Sequence, residues 1–534
     1  MENKELYENV NNKIKKMDKN ELIDFINNLL RKIPQNKYDE VINMLEVKNT
    51  DEGKIKEKIL EYKNFFKKIK KSQIYFYESQ YEDYSMGWEE WNSEFSDKYN
   101  IGKTLNNAFD YAVNLVNCRL YDYAKEILEI LVDTEYSAYD TDLDDYSYLM
   151  LTDLESYDLI SFSSNIVCLY LIYIILKTSD NKVEEIYKYL KYNINFRYVS
   201  IKNSFNLGVE QLNNIDEFMQ QWIEFLSKKN GIEEYRWLKE VLEYTDFKYY
   251  KDNIEDIIKN QPKIIIEIFN HLKINDEIEE IIQLGNKTLE KTKNNSIDVS
   301  NVAIYLASLN TKRQEEYLVK SFMLNANAIN LIRIVVNGYF YNNKKEIYRK
   351  IEIEKNLGNL DEKKYFMLEF FYGNFEIFYN ESIKHKELLG WTFSFEKVST
   401  YLWLLLLYDG NEKTKSYMSI LNEIFEDIGY DKDETLFFGD DIDKIWKSWK
   451  KSFKIEEKLK NKVLKWLENI IYARVEAILK GNYRKSYYKI ATLIVFYAEM
   501  KQSQGIESKK DVISDFINKY HRRTALKREI EELL

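Results

Sequence analysis

The chain has 534 residues and a formal net charge of −11, with 45% hydrophobic and 31% charged residues. This composition supplies ample material for a core and excludes an intrinsically disordered chain, and the negative charge argues against a general preference for nucleic acid or anionic membranes. Only 15 Gly and 2 Pro are present, and because sheet proteins depend on these residues for tight turns while helices exclude them, the sequence predicts an all-α fold.

The N-terminal part of the chain, residues 1–75, is predicted to be a helical segment. It starts with charged residues and lacks the apolar core of a signal peptide. Apolar residues recur with a helical period in residues 22–30 and stop before Pro34. Two cysteines, Cys118 and Cys168, are too few for a disulfide scaffold in a chain of this size. We therefore expect a cytoplasmic protein with buried structural thiols.

Two acidic, aromatic stretches interrupt the helical pattern, at residues 78–97 and 133–158. The first has seven acidic residues and the second has nine, and neither contains a Lys or Arg. Carboxylates beside Tyr and Trp side chains are suited to recognising a basic partner. The alternative is that the aromatic rings pack on neighbouring helices while the acids face water. The residues predicted to bind a protein partner are Tyr81, Tyr84, Trp88, Trp91, Asp140, Asp142, Asp144 and Asp145.

The second acidic stretch contains Asp140-Thr-Asp142-Leu-Asp144-Asp145, which has the spacing that opens a calcium-binding loop. Such a loop needs Gly at its sixth position and a bidentate Glu at its twelfth. This chain has Asp145 and Leu151 there. The pattern therefore indicates a solvated acidic turn or a helix-capping cluster, and no metal or other cofactor is predicted.

One segment is nearly as long as a membrane span. Residues 159–176 form eighteen consecutive uncharged residues. Polar side chains occupy the first half, and only residues 166–176 are continuously apolar. A buried core helix is therefore predicted here, and no membrane association is expected.

A local pattern of a helix end, a turn and an aromatic residue recurs at residues 115–124, 371–378 and 479–486. The turn former ends the first helix, the aromatic residue wedges between the helices, and in two of the three a small residue, Ala124 or Ser486, allows close approach. Tetratricopeptide (TPR) repeats use the same logic. The predicted fold is an irregular TPR-like α-solenoid of stacked helical hairpins. Because the three instances are unevenly spaced, independent hairpins in an irregular bundle are the alternative.

Four parts are predicted along the chain. The helical segment 1–75 is followed by an acidic aromatic connector at residues 76–100 and a first helical-repeat half at residues 101–290. A second helical-repeat half, residues 301–534, ends in a basic C-terminal cap. The boundary between the halves is placed in the polar Lys/Asn/Ser run 291–300.

The second half carries the main basic features. Nine lysines interleave with Trp446, Trp449 and Phe453 in residues 444–465, and these three aromatic residues fall on one helix face. The pattern is typical of an amphipathic helix with its aromatic stripe in the core, and a phosphate-binding face is the alternative. A basic C-terminal half beside an acidic N-terminal half would also suit self-association. The candidate phosphate-binding residues are Lys447, Lys450, Lys451, Arg522 and Arg523.

Four segments within residues 80–534 show a residue pattern similar to that of one helical-repeat family. They are Tyr81–Tyr99 with the Tyr121/Ala124 hairpin, Ala303–Ala307 before Ser321–Asn330, Ile478–Met500 before Gly505, and Tyr520–Glu529. In these places the chain resembles the helical region that follows the zinc finger in bacterial SWIM zinc-finger proteins, and related helical-repeat proteins of low-GC bacteria. The finger itself needs Cys-x-Cys and Cys-x-His, which this chain lacks. The resemblance therefore implies a helical scaffold and transfers neither zinc nor an activity.

No known catalytic pattern is present. The three histidines, His271, His385 and His521, lie far apart, and the chain has no phosphate-binding glycine loop and no nucleophile elbow. We therefore predict a non-enzymatic scaffold that binds a protein partner through the acidic Tyr/Trp-rich surface of residues 78–158. The alternative is a nucleic-acid-associated protein that uses the Lys-rich helix 444–465 and the C-terminal Arg/Lys tail.

Overall fold

The structure is a computed structural model, and most of the residues it describes are helical. It divides into two compact units, Met1–Leu226 and Ser227–Leu534. The prediction of a mainly helical protein is confirmed, with one small sheet as the exception. The described residues are 13–14, 16–32, 34, 52–83, 90–197, 199–212, 214–243, 245, 247–291, 297–309, 312–385, 388–389, 394–430 and 441–534.

The first unit combines helices with the sheet. Its strands are β1 (Phe76–Asp83), β2 (Glu90–Ser96), β3 (Tyr136–Asp140) and β4 (Asp145–Leu149). Its described helices are α1 (Lys19–Leu30), α2 (Glu52–Lys70), α3 (Ile101–Asn117), α4 (Tyr121–Val132), α5 (Leu151–Ser156), α6 (Ser164–Thr178), α7 (Lys182–Tyr192) and α8 (Ile215–Ser227).

Helix α1 begins at a capping box. The Asp18 carboxylate accepts the backbone N–H of Asn20 and Glu21, and the Glu21 carboxylate accepts the N–H of Asp18. These bonds satisfy backbone donors that the first turn of a helix leaves free. An early helix predicted from the apolar period of residues 22–30 is thereby confirmed.

The sheet has the strand order β2-β1-β3-β4. Strands β1 and β2 pair antiparallel, as do β3 and β4, whereas β1 and β3 pair parallel. The predicted connector at residues 76–100 therefore contains two strands instead. The sheet depends on pairing residues about sixty positions apart, such as Phe76 with Ala138, which no local pattern reveals.

The inner face of the sheet packs into the core of the first unit. Phe76, Tyr136 and Ala138 are fully buried, and the Tyr136 hydroxyl donates to the Leu131 carbonyl at 2.7 Å. Because side chains alternate between the faces of a strand, burial of these residues turns their neighbours Tyr75, Tyr77 and Tyr139 to the outer face.

Helix α6 lies in the uncharged segment that is nearly as long as a membrane span. Its residues from Leu171 to Ile175 are fully buried, as is Cys168, which confirms the predicted core helix. Within the described ranges, no helix combines the length and the apolar character that crossing a membrane requires.

The second unit is helical in all its described elements. Its largest fully buried side chains include Trp237, Trp403, Trp446 and Trp449. The helices are α9 (Ile232–Leu242), α10 (Lys248–Lys251), α11 (Ile254–Asn260), α12 (Ile264–Ile274), α13 (Ile278–Lys291), α14 (Ile297–Ser308), α15 (Gln314–Leu324), α16 (Ala328–Val336), α17 (Phe340–Asn356), α18 (Glu362–Tyr372), α19 (Phe375–Ser382), α20 (Phe395–Leu407), α21 (Lys415–Asp427), α22 (Ile442–Lys451), α23 (Glu457–Lys480), α24 (Tyr487–Ser503), α25 (Lys509–Lys519) and α26 (Thr524–Glu531).

Each of the three turns predicted from the recurring pattern joins two helices that pack together: α3 with α4, α18 with α19, and α23 with α24. A residue with positive φ lies in each turn, namely Arg119, Gly373 and Asn482. Left-handed residues of this kind end helices and reverse the chain. The helical hairpins themselves are thus present.

The predicted boundary at residues 291–300 falls inside the second unit. The flanking helices α13 and α14 pack against each other, and the two compact units divide instead between Leu226 and Ser227.

The aromatic stripe of residues 446–453 lies in the core, as the amphipathic pattern predicts. Trp446 and Trp449 are buried, and the Trp449 indole N–H donates to the Phe371 carbonyl at 3.0 Å. Phe453 packs against Phe340 and Phe375. The stripe therefore joins α22 to the α18–α19 hairpin.

Gly373 is expected to be irreplaceable in this hairpin. Its φ is +92°, and a Cβ added there would lie 2.5 Å from a ring carbon of Phe453. We predict that Gly373→Ala lowers the free energy of unfolding by about 3 kcal/mol, from backbone strain plus the clash. Gly338→Ala is the matched control, because Gly338 has a φ of +81° but open space around it, and should cost only about 1 kcal/mol. Urea denaturation measures both variants. An equal loss of unfolding free energy in the two would contradict the expected clash with Phe453.

Candidate functional site

Five tyrosines cluster on the outer side of the sheet, and we refer to them as the tyrosine face: Tyr75, Tyr77, Tyr99, Tyr139 and Tyr146. Tyr75 and Tyr77 belong to the β1 region, and Tyr139 and Tyr146 are directly paired partners on β3 and β4. Tyr77 and Tyr139 are likewise paired across β1 and β3. The sheet therefore brings tyrosines that flank the first acidic stretch beside two tyrosines of the second.

The rings form one connected surface. The ring centroid of Tyr75 lies between 5.0 and 5.6 Å from those of Tyr77, Tyr99, Tyr139 and Tyr146. The rings of Tyr99 and Tyr146 are 38% and 39% exposed, and the other three are half-buried. Tyr and other aromatic residues are enriched at the centres of protein interfaces, where they offer large rigid contact area.

A lysine of the chain itself already lies over the tyrosine face. The Lys98 ammonium is 3.7 Å from the centroid of the Tyr77 ring, which is the geometry of a cation–π interaction. Hydrogen bonds involving Tyr75 and Tyr99, with a smaller contribution from the Lys98 charge, lower the pKa of Tyr77. These rings therefore accept a cation in the geometry that a basic partner would use.

The four aspartates predicted to bind a partner shape the β3–β4 turn. Asp140 is only 5% exposed, and its carboxylate accepts the N–H groups of Asp142 and Leu143 and the side-chain amide of Gln80. Asp142 accepts the Gln80 N–H at 3.0 Å. These two residues therefore hold together an acidic turn between two strands, and no helix begins at this turn, so the helix-capping alternative does not describe it.

Asp144 and Asp145 remain at the surface of this turn. Both are exposed, and the Asp144 carboxylate accepts a hydrogen bond from the Tyr139 hydroxyl, which raises the pKa of Tyr139. The negative charge of Asp144 is thus attached to the edge of the tyrosine face. Asp142 is exposed too, although its carboxylate accepts the Gln80 N–H, so only Asp140 of the four aspartates is buried.

The aromatic residues predicted from the first stretch are only partly described. Tyr81 and Trp91 occupy strand positions, with Tyr81 opposite Asn92 and Trp91 opposite Glu82 in the β1–β2 register. Tyr84 and Trp88 lie outside the described residues. The tyrosine face shares none of these four. Its signal in the sequence is the period-two spacing of Tyr75 and Tyr77, which is typical of a strand.

Strand β4 lies at an edge of the sheet. The exposed side chains along it and its turn include Leu143 at 70% and Tyr148 at 60%. An edge strand offers backbone N–H and C=O groups on its outer side to an incoming extended chain. The backbone edge of β4 and the tyrosine face are thus adjacent surfaces of the same sheet.

Most of the predicted phosphate-binding residues have partners within the chain. Lys447 binds the buried Asp443 at 3.0 Å, and Lys450 donates to the Tyr408 carbonyl and to Asp409. Arg523 donates to Asn482 and to the Leu479 carbonyl. Lys451 and Arg522 are exposed. Nucleic-acid binding through the Lys-rich helix and the C-terminal tail stays a prediction.

One group of side chains in the described ranges could hold a metal ion. Atoms of Glu362, Glu381 and His385 lie within 4.8 Å of one another. The Glu381 carboxylate contacts the His385 ring at 3.1 Å and the Lys384 ammonium at 2.7 Å. Although burial opposes it, these hydrogen bonds lower the pKa of Glu381. Within the group, Glu381 thus already contacts the His385 ring, and Lys384 balances its charge.

Comparison with known proteins assigns the chain to no family and to no function. No protein-family model, no curated protein and no solved structure matches the chain. The resemblance to the helical region of SWIM zinc-finger proteins therefore stays a prediction.

We expect the Asp140 carboxylate to stabilise the folded protein. We predict that Asp140→Ala lowers the free energy of unfolding by about 2 kcal/mol, because backbone and amide donors in the turn lose their acceptor. The exposed Asp145→Ala is the control and should change it by less than about 0.5 kcal/mol. Chemical denaturation measures both, and equal effects would show that the buried hydrogen bonds do not stabilise the turn.

Asp443 should make stability depend on pH in the acid range. It is buried, and hydrogen bonds from Tyr417, Lys447 and Lys413 outweigh the effect of burial and hold its pKa below 3.8. Because the folded state binds this proton less tightly, the stabilisation is complete above the unfolded pKa of about 4 and disappears as the pH falls through the folded pKa.

We therefore predict that Asp443→Asn is about 2 kcal/mol less stable than the natural chain at pH 7, and that the difference shrinks as the pH is lowered from 4 towards 2. Urea denaturation across this range measures it. A difference that stays constant with pH would show that the carboxylate charge contributes nothing.

Proposed function

We propose that this chain is a non-enzymatic helical scaffold that binds a protein partner through the tyrosine face, and that the helical hairpins of each unit stack in a TPR-like manner. The observation that carries the proposal is the connected cluster of five accessible tyrosine rings on the sheet. Accessible aromatic clusters of this kind mark protein interaction sites, because water contact with so much ring surface is unfavourable.

The charge around the face selects a basic partner. Residues 133–158 contain nine acidic residues and no Lys or Arg, and the exposed Asp144 and Asp145 border the rings. An Arg or Lys of the partner would stack on a tyrosine ring as Lys98 does on Tyr77, while its charge is balanced by the nearby carboxylates. An acidic partner or a nucleic acid would be repelled.

The backbone edge favours a partner segment in the extended conformation. Strand β4 can accept a further strand on its outer side, and such pairing supplies main-chain hydrogen bonds while alternate side chains supply specificity. Side chains of an added strand that point outward would lie beside Tyr146 and Tyr148. The partner is therefore proposed to be a basic, extended peptide segment.

Fluorescence anisotropy with labelled peptides tests this proposal. The probes are a peptide of alternating Arg and Ser and a matched peptide of alternating Glu and Ser. We expect the full chain to bind the Arg peptide, with an affinity that falls as salt is raised, and to bind the Glu peptide at least tenfold more weakly. The double variant Tyr146→Ala/Tyr148→Ala should weaken Arg-peptide binding about tenfold or more, because it removes both aromatic rings from the edge strand.

Tyr192→Ala provides the matched control. Tyr192 belongs to the same unit and is 77% exposed, but it lies at the end of α7, outside the sheet. It should leave the affinity unchanged. Equal affinity for the two peptides, or equal affinity of the double variant and the natural chain, would remove the tyrosine face from consideration as a binding surface.

A further inference from the structure

A histidine and two glutamates meet at the open end of the α18–α19 hairpin. Glu362 is the first residue of α18, Glu381 lies in the last turn of α19, and His385 follows three residues after that helix ends. Because the hairpin returns the chain beside its own start, one possible ligand atom from each side chain lies within 4.8 Å of the other two. Imidazole nitrogens and carboxylate oxygens are the atoms through which zinc and related transition-metal ions bind histidine and glutamate.

The distances within this group suit a shared ion. The His385 Nε2 atom lies 3.1 Å from the Glu381 Oε1 atom. Two ligand atoms that are each about 2.1 Å from one zinc ion lie about 3.0 to 3.4 Å apart in octahedral or tetrahedral geometry. This pair therefore already has the separation of two ligands of one ion. The Glu362 side chain is exposed, so a change of rotamer is enough to bring its carboxylate to the same ion.

The two carboxylates retain oxygen atoms for an ion. Glu381 is 5% exposed, and it contacts the Lys384 ammonium through Oε2 at 2.7 Å, whereas Oε1 faces His385. The Lys384 side chain is 67% exposed, so it approaches Glu381 from the solvent side. Within the described part of the chain, the Glu362 carboxylate has no hydrogen bond and no ion pair. An ion on Oε1 of Glu381 therefore leaves the Lys384 contact intact.

The surroundings of His385 orient its ring as those of a metal ligand do. The ring centroid lies 5.0 Å from that of Phe395, and the Nδ1 atom faces a carboxylate oxygen of Glu396 at 3.8 Å. Glu396 itself is 3% exposed. A histidine that binds a metal through one ring nitrogen commonly points the other at a carboxylate, which fixes the ring and makes it a stronger ligand. Here Nε2 faces Glu381 while Nδ1 faces Glu396.

We propose that Glu362, Glu381 and His385 bind one divalent transition-metal ion, with zinc as the representative of that class. Three protein ligands leave the fourth position of a tetrahedral site to water. The bound ion would join the start of α18 to the end of α19 and so close the open end of the hairpin. The site lies in the second compact unit and shares no residue with the tyrosine face, so each proposal can fail without the other.

Isothermal titration of the full chain tests the proposal, with protein made without a histidine tag and stripped of metal with a chelator. The probes are Zn²⁺, Mg²⁺ and Ca²⁺. We expect one Zn²⁺ to bind per chain, and Mg²⁺ and Ca²⁺ to bind at least tenfold more weakly, because these hard cations prefer oxygen ligands to imidazole. The proposal is overturned if Zn²⁺ shows no saturable binding at millimolar concentration, or if Mg²⁺ or Ca²⁺ binds as tightly.

His385→Ala tests the nitrogen ligand, with His271→Ala as its control. Both histidines belong to the second unit and are half-buried, but only His385 belongs to the group with Glu362 and Glu381. We expect zinc affinity to fall at least tenfold in the first variant and to stay constant in the second. Unchanged affinity in His385→Ala, or an equal loss in both variants, would show that zinc binds elsewhere.

Glu362→Gln tests the exposed carboxylate, with Glu376→Gln as its control. Each glutamate is exposed and lies in the first turn of its helix, so both variants should fold like the natural chain. Saturating Zn²⁺ should raise the melting temperature of Glu376→Gln as it does that of the natural chain, because the ion binds only the folded state. In Glu362→Gln we expect a smaller rise and a severalfold loss of zinc affinity. Equal affinity of the two variants would refute the three-ligand site.

Discussion

Burial of apolar side chains between consecutive helices is the interaction on which both units depend. Helices of this length are marginal in water on their own, and their stability comes from packing an amphipathic face. The hairpin turns make that packing local, because a left-handed residue such as Gly373 returns the chain onto the helix it has just left. Phe453, which lies just beyond the end of α22, packs against the same turn, so one glycine serves both the reversal and a contact distant in sequence.

Polar groups that enter these cores are balanced by contacts nearby. Asp443 has Tyr417 and two lysines, and the buried Glu499 accepts from Thr414 and Ser416. Balanced groups of this kind hold helices in register but have little capacity left to bind anything else. This explains why lysines such as Lys447 and Lys450, which look available in the sequence, contribute to the scaffold.

The surroundings of the tyrosine face determine what it can contact. The tyrosine face is open, bordered by carboxylates and located on a sheet with a free edge, so it offers a large, flat contact to a basic chain. Contact with another protein is the function that we propose for this surface.

The sequence alone determined the helices, the three hairpin turns and the position of the acidic stretches, because helical period, turn chemistry and charge are local properties. Tertiary structure decided the rest. Parallel pairing of β1 with β3 placed Tyr77 beside Tyr139 and turned Asp140 inward, and a strand pairing across about sixty residues depends on which surfaces meet. Trp449 and Phe371 likewise come from different helices. Their contact follows from packing, and no spacing along the chain reports it.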